Sequence, residues 1–544
     1  MRTMKEGHTL TTSNHWSWQG DVVVKGGIPL NGTVKISGSK HSVLNILGVI
    51  LLRDGTYVIH DFPMISDALH IVDIYRSLGI KIEIQDGCAT IVVEADKFRY
   101  SEEELFRCEY LRSSILLLGS LLVRNGYVCF PDPGGDDLGD RPLEDILSVL
   151  SHFGIWYDRS NGFITARIVK PLEGNRVVPL HAPPKRIEEK KNSCRRVELP
   201  GSTKTALAFI LSAATRGVTT IINPLETQEN IELLEFIRKM GIGATHPLTS
   251  FLSLEKGGTQ ASNPNRCVEV QSDGNNNLSA LKNPLVHTLS PDKCEIVFWA
   301  VAAALTGGEI SCVLNSEFEN NVPVLSTVYK CYFVTLRKMG IHLKKDNGPA
   351  DFAQMGVVDE YLGTGSPIDS NLLSSTLVFK AQNNKKFKPI DLVVSYGIQE
   401  ESKGIIADAS PHLIPLMMAA DGKSSYRDEK FGISRLRTYS DLIGIDPCIK
   451  DLEDSYKNSI TVHGGHSFLP GKFKALNIRD GATKLLYLLK SDGEGELIDF
   501  QHVQRAYSDI TQKLFSLGSD VKVRARDLTE DCQIFLLENE GLEK

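Results

Sequence analysis

Apolar residues recur at helical spacing along the whole chain, in runs that end in an apolar residue followed by glycine. Positions three and four residues apart line one helix face, and the glycine suits a helix C-terminus. An alternating strand pattern often follows, as at 81–84 and 520–523. Helix, glycine and strand therefore form a repeating unit, with five clear copies and a sixth that is eroded. The copies are residues 71–80, 146–155, 233–242, 334–341, 510–519 and, eroded, 439–445.

A second apolar helical run precedes each copy and ends near a glycine and a short strand. Six units with two helices apiece predict a pseudo-symmetric α/β protein. Two stretches do not fit the repeat: 256–284 is rich in Gly, Ser, Asn and Gln, and 344–388 has only short apolar runs. We interpret both as insertions. The preceding runs are residues 42–52, 113–123, 205–214, 296–305, 414–420 and 482–489.

Composition limits the class of protein. The chain has 544 residues, 42% of them hydrophobic and 23% charged, which suits two large domains. A net charge of -7 argues against nucleic acid as a partner. The ten cysteines form no CxxC pair and no metal-ligand spacing, which indicates a reducing compartment. No segment has the length of a membrane span, so we expect a cytoplasmic protein with no membrane partner.

A glycine-rich segment at 133–142 is the strongest local candidate for a functional loop. It carries three carboxylates and then a guanidinium, just before a helical pattern. Its glycines permit close approach of the backbone to a ligand, Arg141 can hold a phosphate or carboxylate, and Asp136 can deliver a proton. A solvated surface turn fits the same residues, and the segment alone does not decide between the two.

Five segments together resemble the enolpyruvyl transferases, in order and in spacing, and favour the nucleotide-sugar branch over the phosphoshikimate branch. The resemblance implies two inside-out α/β domains, each of three pseudo-repeated βαβαββ-type units. One domain would comprise 1–38 with 291–544, and the other 39–290, with the chain crossing between them near 37–40 and 287–293. The segments are residues 36–45, 62–67, 111–116, 133–142 and 290–293.

The resemblance implies transfer of the enolpyruvyl group of phosphoenolpyruvate to a hydroxyl, with no metal and no cofactor. Phosphoenolpyruvate needs cations around its phosphate and carboxylate. Lys40, Arg112, Arg141 and Arg479 match such cations, and Lys430 stands where the family usually has arginine. The lysine lacks the planar fork of arginine. Taken singly, each also fits a surface charge or a structural ion pair.

The resemblance assigns the general acid and the general base to two aspartates. Asp136 stands where most of the family carries a loop cysteine that acts as general acid and captures fosfomycin. A carboxyl can donate a proton but forms no thioether, so we expect resistance to the drug. Asp408 keeps the family spacing to a later glycine and is assigned as the base for the acceptor hydroxyl. Seen alone, Asp408 also fits a helix N-cap.

The acceptor side matches the family less closely. Glu144 and Ser202 match uridine-contacting and diphosphate-contacting positions. His41 replaces an asparagine, Pro200 a lysine and Lys293 an arginine, so the sugar and diphosphate pocket is altered; His41 is retained as substrate-binding. The resemblance implies the 3-OH of UDP-N-acetylglucosamine as acceptor, in peptidoglycan biosynthesis. UMP as acceptor in nucleoside-antibiotic biosynthesis, and a nucleotide-binding relative without catalysis, are the alternatives.

Overall fold

The computed structural model describes most of the chain, and the account below is confined to that part. The described residues are 20–135, 143–180, 201–225, 227–245, 267–274, 280–314, 332–345, 376–381, 386–395, 405–428, 442, 459–465 and 467–525.

The described residues form an α/β protein. Its strands are β1 (Gly20–Lys25), β2 (Asn31–Lys35), β3 (Gly55–His60), β4 (Lys81–Gln85), β5 (Cys88–Val93), β6 (Tyr127–Pro131), β7 (Ile155–Ser160), β8 (Phe163–Ile168), β9 (Arg176–Pro179), β10 (Gly217–Ile222), β11 (Gly243–Ala244), β12 (Cys267–Ser272), β13 (Leu285–Thr288), β14 (Glu309–Val313), β15 (Ile341–Lys345), β16 (Leu377–Ala381), β17 (Asp391–Ser395), β18 (Ile405–Ile406), β19 (Lys423–Arg427), β20 (Ser459–His463), β21 (Lys472–Lys474), β22 (Glu494–Ile498) and β23 (Asp520–Ala525). Its helices are α1 (Lys40–Val49), α2 (Ser66–Ser77), α3 (Glu102–Leu105), α4 (Ile115–Asn125), α5 (Leu143–His152), α6 (Ser202–Ala214), α7 (Gln228–Lys239), α8 (Lys293–Thr306), α9 (332–338), α10 (Ile414–Ala419), α11 (Ile478–Lys490), α12 (Gln501–Gln504) and α13 (Ile510–Ser516).

The predicted α/β repeat is confirmed. Helices α2, α5, α7, α9 and α13 occupy the five clear copies, and each is followed by a glycine with positive φ, between 69° and 97°. Only glycine adopts this left-handed conformation without strain, which is why the same residue recurs. The eroded copy at 439–445 lies outside the described residues except for Leu442.

Four of the six small sheets share one plan. In the sheet β13-β3-β5-β4 the first two strands are parallel and the later pairs antiparallel. The orders β9-β10-β12-β11 and β2-β14-β16-β15 repeat that plan, and β6-β8-β7 lacks the parallel strand. In β21-β22-β1-β23 the N-terminal strand β1 fills the third position. The sixth sheet has the order β18-β17-β19-β20.

The helices lie inside and the sheets outside. Residues 293–305 of α8 are buried on every side, as are 478–489 of α11, and a helix that is buried all round belongs in a core. One hydrophobic core gathers residues from 22–36 and 294–517, with Ile231 as a contribution from the other half, and a second gathers residues from 43–289. The fold is therefore the two-domain, inside-out arrangement; the boundary residues given above stay predictions.

Both predicted insertions were drawn too wide. β12 lies within 256–284 and is an inner strand of its sheet, while β16 lies within 344–388 and pairs with both β14 and β15. Each is only five or six residues long and is flanked by polar chain, so its alternation was hidden by its surroundings. The predicted insertions therefore include strands that complete repeat units.

Candidate active site

The two chain crossings between the domains are paired with each other. Ser39 N donates to Ser290 O at 2.7 Å, and Asp292 N donates to Ser37 O at 2.9 Å. The chain leaves one domain and returns to it along the same line. The residues that follow each crossing, at the starts of α1 and α8, are thereby brought together.

A single carboxylate joins the N-termini of α1 and α8. Asp292 accepts from Cys294 N at 2.8 Å and Glu295 N at 3.0 Å, and its other oxygen accepts from Lys40 N at 3.0 Å. Helix N-termini carry partial positive charge, so their meeting point favours anions. Lys40 is the first residue of α1, as the sequence predicts, and is 6% exposed.

Lys40 and Arg505 share Asp67. Lys40 Nζ lies 2.6 Å from Asp67 Oδ2, and Arg505 Nε lies 2.9 Å from Asp67 Oδ1. Burial raises the pKa of Asp67, but the charges of Lys40 and Arg505 outweigh burial and hold it below its ordinary value. Burial lowers the pKa of Lys40, and the negative charge of Asp67 opposes that decrease without reversing it. Arg505 and Lys40 come from different domains, so the cluster lies at the domain junction.

Asp408 lies between an arginine and a histidine. Arg479 Nη2 is 4.0 Å from Asp408 Oδ1, and His41 Nε2 is 3.6 Å from Asp408 Oδ2. Asp408 and His41 are each about a third exposed, at 31% and 36% of the side chain, whereas Arg479 is buried. The alternative of a helix N-cap is wrong, because Ala409 caps the turn Ser410–Leu413. The carboxylate of Asp408 therefore lies between Arg479 and His41 and is partly exposed.

Arg479 is held from behind by a tyrosine and a neutral histidine. Its Nη1 donates to Tyr507 Oη at 3.3 Å, and Tyr507 Oη lies 2.6 Å from His412 Nε2. Burial and the charge of Arg479 lower the pKa of His412 to about 3. An uncharged imidazole adds no competing positive charge, so Arg479 is oriented without being repelled.

A buried ion pair lies beside this group. Lys293 Nζ, from the first residue of α8, donates to Glu229 Oε2 at 3.0 Å, and both side chains are about 5% exposed or less. Burial opposes both charges, yet their mutual attraction raises the pKa of Lys293 and lowers that of Glu229. Lys293 is therefore already neutralised by a protein carboxylate.

Glu232 is the centre of a hydrogen-bond network behind the crossings. It accepts from Ser42 Oγ at 2.5 Å, from Ser290 N at 3.0 Å and from the hydroxyl of Ser290. His287 Nε2 lies 3.0 Å from the same carboxylate. Burial raises the pKa of Glu232, but these partners outweigh it and lower it. The network fixes α7 to the first turn of α1 and to the returning crossing.

The glycine-rich loop begins beside Arg112. Gly134 N donates to Glu109 O at 2.7 Å, and a Cβ added to Gly134 would lie 2.3 Å from that oxygen. Gly135 has a φ of 102°, and a Cβ there would lie 3.0 Å from Cβ of Arg112. Arg112 itself begins the short turn Arg112–Ser114 and is half-buried. Only glycines fit this approach.

Three of the predicted site residues fall outside the part of the chain that the structure describes. They are Asp136, Arg141 and Lys430, together with Pro200. Their assignments stay predictions.

The two predicted acceptor residues lie in other clusters. Glu144, in the first turn of α5, pairs with Arg159, which also holds Asp132 at 2.8 Å and 2.9 Å. Ser202 begins α6, and its hydroxyl lies 3.5 Å from Thr227 Oγ1. Neither of these interactions involves Lys40 or Asp408, and the roles of Glu144 and Ser202 in substrate binding stay predictions.

The sequence reasoning missed Arg505 and the pairing role of Asp67. Asp67 ends one of the resembling segments, and Arg505 lies just before the last repeat helix, so position in the repeat was an available signal. Their pairing was not readable, because 438 residues separate them in the chain.

Comparison with known proteins points to one family. The family model of EPSP synthase (3-phosphoshikimate 1-carboxyvinyltransferase) matches residues 24–179. UDP-N-acetylglucosamine 1-carboxyvinyltransferase 1 of Halalkalibacterium halodurans is 24% identical over 92% of this chain and 94% of that protein. The protein of the same name from Symbiobacterium thermophilum is 25% identical with the same coverage.

Solved structures have the same fold. The enolpyruvyl transferase NikO from Streptomyces tendae matches with a TM-score of 0.69 at 19% identity, covering 94% of this chain and all of that one. EPSP synthase from Acinetobacter baumannii matches with a TM-score of 0.60 at 15% identity, covering 93% of this chain and 99% of that one.

Fold and similarity together define an enzyme of the enolpyruvyl transferase class. The chain is a carboxyvinyltransferase with the EPSP synthase-like fold, as the sequence motifs indicate. Within the described residues, no helix combines the length and the apolar character needed to cross a bilayer.

Proposed function

We propose that this enzyme transfers the enolpyruvyl group of phosphoenolpyruvate to the 3-OH of UDP-N-acetylglucosamine and releases phosphate. The observation that carries the proposal is the group of cations at the domain junction, buried Lys40 and Arg479 with half-buried Arg505, beside the carboxylate of Asp408. The names of the relatives that match over 92% of the chain supply the acceptor.

The cations suit the donor. Phosphoenolpyruvate carries a phosphate and a carboxylate, and guanidinium groups bind both in a bidentate manner. Lys40 and Arg505 share one carboxylate, so the cluster keeps a positive excess for a ligand. Arg112, beside Gly135 at the base of the loop, is proposed as a further cation, with Arg141 and Lys430 as predicted partners.

The proton donors and acceptors follow from position. Asp408 faces the junction and is the proposed base for the acceptor hydroxyl. Asp136 is the proposed acid for the methylene carbon, delivered when the loop that begins at Gly134 closes and excludes water. General acid–base catalysis of this kind contributes roughly 10²–10⁴-fold to the rate.

A second acceptor, UMP, is favoured by one observation. Lys293 stands where the resemblance has an arginine, and it is paired with Glu229. A lysine that is already paired has little capacity left for a sugar or diphosphate group. An acceptor that keeps the uridine but lacks part of that group would then fit the altered pocket.

Phosphate release from phosphoenolpyruvate tests the function. UDP-N-acetylglucosamine, UMP and shikimate 3-phosphate serve as parallel acceptors, with Asp136→Ala as the catalytic control. We expect the wild-type enzyme to release phosphate with the nucleotide sugar, and the Asp136→Ala control to release none. Release with UMP alone moves the enzyme to the second acceptor, and the absence of release with all three contradicts both assignments.

A further inference from the structure

We propose that His41 and Asp408 act as one carboxylate–imidazole pair, in which the imidazole takes the proton of the acceptor hydroxyl. The inference deepens the proposed function and rests on it for the identity of the reaction. It differs from the assignment above, in which Asp408 takes that proton directly. The resemblance puts an asparagine at position 41, and an amide cannot serve as a base.

The geometry of the ring supports the pair. Nε2 of His41 is buried, has no hydrogen-bond partner among the described residues, and faces Asp408 Oδ2 at 3.6 Å. A buried ring nitrogen without a partner is uncommon and calls for an explanation. The gap is slightly too long for a hydrogen bond, and catalytic contacts of this kind often shorten only when substrate is bound.

Part of the His41 side chain is accessible. The side chain is 36% exposed although Nε2 is buried, so the exposed surface belongs to its other atoms. A carboxylate that accepts Nε2–H fixes the tautomer in which Nδ1 is the proton acceptor. Asp408 is itself 4.0 Å from Arg479, whose positive charge attracts the carboxylate.

The surrounding charges keep the ring available as a base. Desolvation lowers the pKa of His41. The negative charges of Asp408 and Glu229 oppose this decrease, and the positive charges of Lys40 and Lys293 add to it. A neutral imidazole at neutral pH follows from this balance. The pair therefore starts in the protonation state that proton abstraction needs.

The reaction balances with this assignment. The acceptor O–H bond breaks and its proton passes to Nδ1 of His41, while Nε2–H is held by Asp408. The freed oxygen bonds to C2 of phosphoenolpyruvate, and C3 takes a proton from the loop acid. In the second step C3 returns that proton, the C2–O bond to phosphate breaks, and the imidazolium proton leaves on phosphate.

Kinetics of four variants test the pair: His41→Asn, His41→Gln, Asp408→Asn and the double variant H41N/D408N. We expect His41→Asn to lower kcat by about 10²-fold with the KM for phosphoenolpyruvate within about threefold of wild type. The kcat of the double variant should be no more than about threefold below that of the less active single variant, because the effects of groups that act as a unit are not additive. His152→Asn, at the exposed end of α5, is the matched control.

A titration of the free protein provides a test that needs no turnover. With ¹⁵N-labelled histidine, Asp408→Asn should lower the pKa of His41, because the variant removes a neighbouring negative charge. A His41→Asn enzyme that keeps kcat within about twofold, or a His41 titration that Asp408→Asn leaves unmoved, overturns the pair. If wild type releases no phosphate with any acceptor, the proposed function fails, and the titration alone decides the pair.

Discussion

Lys40 Nζ lies 2.6 Å from Asp67 Oδ2, in a pair whose two side chains are both less than a tenth exposed. The same carboxylate holds Arg505 from the other domain. One aspartate therefore orients two cations for an anionic substrate and also joins the domains that must close around it.

Replacing Asp67 with asparagine should damage stability and catalysis together. Removing one partner of a buried ion pair leaves an uncompensated charge, and the expected loss is about 3–5 kcal/mol in the free energy of unfolding. Urea unfolding measures it. Glu83→Gln, in an exposed pair with Lys81, should leave the free energy of unfolding nearly unchanged. Equal effects of the two variants would contradict a structural role for Asp67.

Arg505→Lys should weaken binding of phosphoenolpyruvate more than it weakens the fold. The lysine keeps the charge but loses the planar fork that matches a carboxylate or phosphate. We expect the KM for phosphoenolpyruvate to rise by roughly 10-fold or more, an affinity loss of about 1.4 kcal/mol or more. Steady-state kinetics at saturating acceptor measures it, with the exposed Arg524→Lys as control. An unchanged KM would remove Arg505 from the donor site.

Gly134→Ala should impair the loop. The added Cβ would lie 2.3 Å from the backbone oxygen of Glu109, so the strand leading into the loop must shift. We expect kcat to fall at least about 10-fold, since small displacements of catalytic groups are costly. Gly243→Ala, whose nearest neighbour is at an ordinary 3.4 Å, is the matched control. Similar kcat values for the two variants would show that a side chain is tolerated where Gly134 approaches the backbone of Glu109.

Fosfomycin should not inactivate the wild-type enzyme in a time-dependent way. An aspartate at position 136 cannot form the thioether that the loop cysteine forms in the family. Asp136→Cys should gain time-dependent inactivation, because a thiolate is the better nucleophile. Residual activity after timed incubation measures both. Inactivation of wild type at the rate of the cysteine variant would show that Asp136 does not occupy the position of that cysteine.

Glu232→Gln should lower stability at neutral pH and have less effect in acid. The folded pKa of Glu232 is depressed, so its ionised carboxylate stabilises the fold above the unfolded value of about 4.3. That contribution is lost as pH falls through the folded pKa. The difference in free energy of unfolding between wild type and variant should therefore be largest near pH 7 and shrink below about pH 4.3. A difference that is constant with pH would mean that the charge is not involved.

The repeat was readable from sequence because its signals are local. Each repeat helix needs apolar positions at helical spacing and a glycine at its end, and both are visible within about ten residues. Strands β12 and β16 were missed for the same reason, because a short strand in polar surroundings has little local signal. Their place in the sheets depends on distant partners such as β10 and β14.

The residues of the candidate site were likewise predictable from sequence only in part. Lys40 at the start of a helix and Asp408 before one were identified from the family resemblance, and both lie at the domain junction. Arg505 was missed, and the pairing of Glu144 with Arg159 was not predicted. Charge pairing depends on distances of a few ångströms between remote segments, which sequence spacing does not report.

The sequence by itself determined the α/β repeat, the enolpyruvyl transferase class and the residue types available for catalysis, because these depend on local periodicity and on short motifs. The tertiary structure decided which charges meet. Asp67 holds both Lys40 and Arg505, β1 completes the C-terminal sheet, and the two chain crossings at 37–40 and 290–293 pair with each other. Contacts between segments hundreds of residues apart are set by packing of the whole fold, and no local pattern encodes them.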